Sequence, residues 1–466
     1  MFKPLLLSLF SLNLSAQLVF NEYVNNPVID TLSTTDPSEF WTQWKTDPFV
    51  IPWQGDSLRM YYGTNNIGVK TQIGTAVSAD GNIWIEKRDE AVVPSGIEGS
   101  WDEYDVETPG VIIVPSNPDS MRYMLYYSGA TADEILLDEV NPIYYPTEIY
   151  QMGMAYSSDG INFTKYNDPT NDSDSRYAES DPVIRIPYTS GDTPDTINYL
   201  FSSVAEPSPM YDEEEGVFKL WYIGLGCSNP TCSGDENYRF RVLYSESDDG
   251  INWTDPVVAL DVGGTDDFDS KLIYAPNVIK HAGQYWMFYG GNHFDTGTFF
   301  LFSQKIGLAT STDGINFSRY EENPIILDGE LGSWNDMGSN YPCAIEHKDT
   351  LRVYYSGFQD SVITFDPNIG YSYLDPASAN LEEQNPLLEE WILYPNPSSQ
   401  TVHIKMNSVQ IDRIRIYDQS GRICTAQYYS PSKNVTVDLA KLANGMYWVY
   451  LYRGEEEIGH KKLMLH

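Results

Sequence analysis

The stretch "SSDGINF" from Ser157 returns as "SDDGINW" from Ser247 and "STDGINF" from Ser311, after a looser copy, "SADGNIW", from Ser78. Each copy closes a longer unit. An apolar strand is entered through a proline, a second strand ends in an aromatic residue and glycine, a third is rich in small residues, and the turn follows. The second strands read "LRMYYG", "YMLYYSG", "FKLWYIG", "YWMFYGG" and "LRVYYSG", so there are five units. The strands before them open at "DPFVI" from Asp47, "TPGVI" from Thr108, "EPSPM" from Glu206, "APNVI" from Ala275 and "YPCAI" from Tyr341. Alternation and aromatic and β-branched enrichment predict strands, and no segment of useful length has helical periodicity.

A unit that cannot hide its apolar face alone must stack on its neighbours. Four-stranded units repeated about an axis predict an all-β chain with a five-bladed β-propeller. Asp-Gly supplies the tight hairpin turn, the serine bonds the turn backbone, and the aromatic residue is expected to pack back on the sheet. The turn therefore reads as architecture, and the asparagines of "NFT", "NWT" and "NFS" as sequons by coincidence. The fifth unit lacks the turn. "NNPVIDT" near the N-terminus resembles "ENPIILD" before unit five, so an N-terminal strand is expected to complete the ring and remove its open edges.

The 28 Lys and Arg against 66 Asp and Glu give a formal charge of -38, spread along 466 residues. Such a surface repels phosphate backbones and anionic lipid, which leaves neutral glycans and divalent cations as partners rather than nucleic acid. Lys3, the apolar run Leu5 to Leu14 and "LSAQ" predict a signal peptide over residues 1–16, and no later stretch predicts a membrane span. Export permits a disulfide between Cys227 and Cys232. A zinc site there lacks nearby histidines, and Cys343 and Cys424 read as buried thiols.

The propeller is expected over 17–386, with an acidic linker at 387–392. Residues 393–466 then show short alternating strands of sandwich type, an immunoglobulin-like module. Tyr394-Pro395-Asn396-Pro397, Tyr417-Asp418, Gly421-Arg422, Leu442-Ala443-Asn444-Gly445-Met446-Tyr447 and Lys461-Lys462 occur in order. This segment resembles the C-terminal sorting domain of the type IX secretion system. The resemblance implies that secretion machinery as partner, passage across the outer membrane, and release or anchoring at the cell surface.

Function then falls to the propeller, whose inner strands converge on the axis. Residues just before the five prolines can face one funnel: Asp47, Thr108, Glu206, Ala275 and Tyr341. Two carboxylates from separate blades meet the need of glycoside cleavage, one protonating the leaving oxygen and the other activating water or attacking the sugar. Glu107 and Asp105, beside the blade-two proline, add charge and can raise a neighbour's pKa. The turn is one residue shorter than the Asp box of sialidases, which argues against that group.

At these residues the chain resembles the five-bladed glycosidases related to family 43, with the invertase and levansucrase families beside it. The resemblance implies that Asp47, before the blade-one proline, is the base. Glu206 matches the acidic residue that tunes the acid. The place of the acid itself holds Tyr274, a departure from the pattern, so Glu206, or else Glu107, becomes the proton donor. Trp44, Trp53, Trp41 and the loop from Asn292 offer rings for sugar stacking, and Tyr274 and Asn277 are further substrate-binding candidates. His293 could take part in substrate binding or, as in some related propellers, support a structural calcium through water; no cofactor is otherwise required. "GGTDDFDS" lacks calcium-loop spacing. The paired heads Trp101-Asp102, Phe268-Asp269 and Trp334-Asn335 recur with the repeat and read as structural.

Three functions fit: a secreted glycoside hydrolase acting on a polysaccharide or oligosaccharide, a non-catalytic glycan- or protein-binding propeller, and a phosphate-dependent glycoside phosphorylase. The third needs cations in the funnel, for which Lys45 is the candidate near a strand head.

Overall fold

The computed structural model describes residues 18–30, 44–65, 70–86, 90–130, 150–170, 172–185, 200–227, 238–293, 304–360, 365–375, 391–394, 398, 400–406, 410–418, 423–454 and 456–465. The chain divides into two units, 1–379 and 380–466. The expected border after Pro386, the signal segment, Trp41, Cys232 and the Cys227 side chain lie outside the described residues, so the disulfide does too.

In the first unit, the short strand β1 (Phe20–Glu22) precedes blade one, made of β2 (Trp44–Pro52), β3 (Leu58–Asn65), β4 (Gln72–Ser78) and β5 (Ile85–Glu86). Blade two holds β6 (Asp105–Ile113), β7 (Tyr123–Ala130) and β8 (Tyr150–Ser157), with β9 (Thr164–Lys165) and β10 (Pro182–Ile184) both pairing with β8. Blade three runs β11 (Leu200–Asp212), β12 (Val217–Cys227), β13 (Tyr238–Ser247) and β14 (Val257–Leu260). Blade four is β15 (Leu272–His281), β16 (Gln284–Asn292), β17 (Lys305–Ser311) and β18 (Ser318–Arg319). Blade five has β19 (Gly338–His347), β20 (Thr350–Asp360) and β21 (Phe365–Leu374), and β1 pairs antiparallel with β21 as its outer strand. The inner strands β2, β6, β11, β15 and β19 pack each on the next, and β19 on β2, so the sheets close a ring.

The N-terminal segment completes blade five as its sequence suggested. Ile29 bridges Ile369 there, as Ile326 of "ENPIILD" bridges Ile306 in blade four. In each repeated turn, the hydroxyl oxygen of Ser78, Ser157, Ser247 or Ser311 accepts the glycine N–H at 2.8–3.0 Å, while its O–H donates to the following aspartate. The asparagine amides of Asn162, Asn252 and Asn316 are tied to those aspartates.

The turn aromatics pack in clusters that hold strands of their own blade, and each also reaches the preceding blade: Phe163 meets Tyr61 at 5.9 Å, Trp253 meets Tyr126 at 5.7 Å, Phe317 meets Trp221 at 6.5 Å and Trp84 meets Tyr354 at 5.7 Å. Each ring thus buries apolar surface on both sides of the seam between two blades. The same partners reach into the turn. Tyr61, Tyr126, Trp221 and Tyr354 donate to the carbonyls of Gly160, Gly250, Gly314 and Gly81 at 2.7–2.8 Å. Phe288 holds this position in blade four, facing the one blade without a turn, and its ring meets Phe20 of β1 at 6.0 Å instead.

The paired heads are structural, as read. Trp101, Phe268 and Trp334 lie against Tyr127, Tyr289 and Tyr355. Asp102 accepts from Tyr127 and Lys165, and Asp269 from Tyr289 and Arg319, so each buried acid is paired and hydrogen-bonded. Cys343 is a buried thiol whose Sγ accepts the Val50 N–H, while Cys424 is half-buried.

The second unit packs β22 (Ile392–Tyr394), β23 (Thr401–Lys405) and β26 (Asn434–Asp438) as one sheet. Its other sheet is β24 (Ile411–Asp418), β25 (Ile423–Ser432), β27 (Gly445–Arg453) and β28 (Glu456–Leu465). Val402, Ile404, Val435 and Val437 of the first sheet meet Ile414, Ile416, Val449 and Leu451 of the second in one core, a β-sandwich of immunoglobulin type. The quoted motifs have local work: the Tyr447 hydroxyl donates to the Ala443 carbonyl, and the Lys461 amine caps the Trp391 carbonyl and lies over its ring.

Candidate active site

Each inner strand breaks register at its proline. The shifts fall between Thr46 and Phe49, Glu107 and Gly110, Ala205 and Ser208, Tyr274 and Asn277, and Asn340 and Cys343. In every case the residue before proline has positive φ: Asp47 55°, Thr108 48°, Glu206 60°, Ala275 48° and Tyr341 52°. A bulge re-aims a side chain, and five of them at one level send five side chains to the axis. There they line a shallow open cavity of about 300 Å³, counted out to solvent, together with their prolines, Phe49 and Asn277.

The bulges free backbone N–H groups, and side chains of other blades take them. Ser356 of blade five accepts the Asp47 N–H and Ser128 of blade two accepts the Glu206 N–H, both at 2.9 Å. The two carboxyls do the same for their neighbours: Asp47 accepts the Thr108 N–H, and Glu206 Oε2 accepts the Ala275 N–H at 2.5 Å. Asp47 Oδ1 also accepts the Thr46 hydroxyl at 2.7 Å. A Cβ on Gly63 would stand 3.1 Å from Asp47 Oδ2, so the glycine of "YYG" makes room for the carboxyl.

Burial dominates the electrostatics. It pushes Asp47 up to about 7, against the pull of its two donors and with a further push from Asp105. Glu206 is pushed up to about 8, again by burial, with one donor pulling it down and the Asp47 charge raising it. The carboxyl with the lower proton affinity, Asp47, is therefore the natural base and Glu206 the natural acid. With Oε2 held as an acceptor, the acid proton of Glu206 sits on Oε1.

Asp47 and Glu206 are thus brought together. Glu107, one residue ahead of its bulge, is half-buried and not on the cavity wall, although its charge is felt at Tyr341. Asp105 is buried and bonded by the Tyr150 hydroxyl. Tyr274 is buried beside Glu206, and its hydroxyl has no hydrogen-bond partner among the described residues. Asn277 lines the cavity, but its Oδ1 accepts the Ala344 N–H, a clamp between blades that Ser208 repeats with Val278. Trp44 starts β2 at the surface, 36% exposed, away from the wall. Trp53, at the other end of β2, lies under the Arg59 guanidinium and beside Tyr123, because strand length carries it away from the cavity mouth. His293 is exposed and bonded to Ser270, outside the cavity. Lys45 is buried and paired with Glu86 at 2.8 Å inside blade one; it stands before the register shift that re-aims Asp47 and is not on the cavity wall. Among the described residues, no group of three or more His, Cys, Asp or Glu is placed to hold a metal, and no helix is long and apolar enough to cross a membrane.

Tyr341, grouped with the funnel by its place before the fifth proline but given no role of its own there, stands on the cavity wall. The aligned pre-proline positions were the signal that places it beside the two carboxyls.

Fold and site together define a β-propeller with an acidic axial cavity and an attached sorting module. Residues 392–466 match the family model of the secretion system C-terminal sorting domain, so the chain carries the export signal of that system and is extracellular or attached to the cell surface. An uncharacterised protein of Mycobacterium tuberculosis is 22% identical over 327 residues, 67% of this chain and 89% of its own. The A type blood N-acetyl-alpha-D-galactosamine deacetylase of Flavonifractor plautii is 27% identical over 207 residues, 42% of this chain and 24% of that enzyme. A glycosyl hydrolase from Bacteroides ovatus superposes with a TM-score of 0.51 at 16% identity, over 78% of this chain and 95% of its own. A second structure, described as a glycoside hydrolase, gives 0.52 at 14% identity over 78% and 92%. These likenesses establish the fold as that of propeller glycoside hydrolases.

Proposed function

We propose that the protein is an exported glycoside hydrolase with Asp47 as base and Glu206 as acid. The observation that carries this reading is the meeting of two buried carboxyls, from blades one and three, on one cavity with their proton affinities pushed up and apart. Asp47 takes a proton from a water whose oxygen bonds to the anomeric carbon. The bond from that carbon to the leaving oxygen breaks, and Glu206 Oε1 gives that oxygen its proton. Solvent then restores both groups. The likeness to glycoside hydrolase folds supports the reading.

Phosphorolysis has less support, since none of the residues lining the cavity is basic and Lys45 is engaged elsewhere. A propeller that binds glycan without turnover keeps one observation in its favour: blade four presents Ala275 at its pre-proline position, with Tyr274 before it, and no carboxyl. The test is a panel of plant, algal and microbial polysaccharides with wild type, Asp47→Asn and Glu206→Gln. These isosteres keep an oxygen for the Thr108 and Ala275 amides, which alanine would not. Each is expected to lower the rate about 10²- to 10⁴-fold, the usual contribution of a positioned acid or base. Binding of a polymer with no products from wild type would favour the lectin-like alternative.

A further inference from the structure

The axial cavity contains a third polar group that the hydrolase reading does not use. Tyr341 is the blade-five member of the ring, and its positive φ aims the phenol at the same space as Asp47 and Glu206. Its hydroxyl has no hydrogen-bond partner among the described residues. By contrast, the Thr108 hydroxyl is bound to Ser128, and Asn277 Oδ1 accepts the Ala344 N–H. The charges of Glu206, Asp47 and Glu107 all bear on the Tyr341 hydroxyl, which places it among them, and burial keeps it protonated. A phenol so placed is a donor, not a nucleophile.

We propose that Tyr341 is a ligand-binding residue, donating its O–H to an oxygen of an uncharged sugar seated between Asp47 and Glu206. This rests on the reading of the axial cavity as a sugar site. The same wall sets the substrate class. With two carboxyls and no lysine, arginine or histidine lining the cavity, a uronate, sulfated sugar or phosphate would enter unpaired beside like charge, which is strongly unfavourable when water is excluded. Sugar hydroxyls both donate and accept, and so can satisfy the phenol and the carboxyls together.

The experiment is ligand-observed NMR on the full chain with D-xylose, L-arabinose, D-galactose, D-mannose, D-glucose, D-glucuronate and inorganic phosphate, for wild type and Tyr341→Phe. At least one neutral sugar is expected to bind, and glucuronate and phosphate are not. Tyr341→Phe should weaken that binding about 10- to 100-fold, the worth of one buried hydrogen bond to a ligand. Its melting temperature should be unchanged, because the hydroxyl serves no protein partner. Preferred binding of glucuronate or phosphate, binding that Tyr341→Phe leaves intact, or binding by none of these ligands would overturn the proposal. The two readings fail separately: sugar binding without turnover removes the hydrolase and keeps Tyr341. Turnover lost in Asp47→Asn but normal in Tyr341→Phe removes Tyr341 and keeps the hydrolase.

Discussion

Asp47 and Glu206 are held where neither backbone nor solvation favours them. Each has a positive φ, which costs of the order of 1–3 kcal/mol for a residue other than glycine, and each carboxyl is withdrawn from water. Because both folded-state affinities for the proton are raised, to about 7 and about 8, the folded chain binds these protons more tightly than the unfolded chain does. Their contribution to stability is full below pH about 4, the ordinary carboxylate range, and is lost as pH rises through 7 and 8. The double variant Asp47→Asn, Glu206→Gln should therefore melt higher than wild type at pH 9 and show a flatter pH dependence. The gain is at least about 1.4 kcal/mol, the equivalent of one pKa unit. Parallel melting curves from pH 5 to 9 would show that the carboxyls are ordinary. The positions of these residues were legible in the sequence, since they precede repeated prolines. Their backbone conformation was not: a residue before proline is biased to extended structure, and the left-handed turn is imposed by packing five strands about one axis.

At the scale of the hairpin, the repeated Ser-x-Asp-Gly turn joins blades as well as strands. Its internal hydrogen bonds were readable from the residue types, but the reach of the aromatic residue onto the preceding blade was not, because local pattern says nothing about the neighbour across a seam. The exception in blade four was written in the sequence all along: Phe288 stands where Tyr61, Tyr126, Trp221 and Tyr354 each carry a polar head. Tyr61→Phe and Tyr126→Phe should each cost about 0.5–1.5 kcal/mol, the net worth of one hydrogen bond. Phe288→Tyr should instead destabilise by about 1–3 kcal/mol, because its hydroxyl would be buried against Phe20 with no turn carbonyl to receive it. Urea melts of the three variants decide this; equal, near-zero changes would mean that the glycine carbonyls contribute nothing to the seams.

The whole propeller turns five weak sheets into one ring and makes its own axis the meeting place of distant chain segments. Strand count, the N-terminal closing strand and the sorting module could all be read from repetition and motif order. Trp53, His293 and Lys45 could not be placed that way, since sequence proximity to a strand head does not say which end or face of the strand a side chain occupies. The ring brings Asp47 and Glu206 together across more than 150 residues of sequence, and the claim that this juxtaposition is catalytic is the centre of the account. It is tested most directly by kcat/KM against pH on the neutral aryl glycoside cleaved fastest, for wild type, Asp47→Asn and Glu206→Gln. Wild type is expected to give a bell with limbs near 7 and 8, with loss of the alkaline limb in Glu206→Gln and collapse of the rate across the range in Asp47→Asn. A profile that neither substitution alters would contradict the claim.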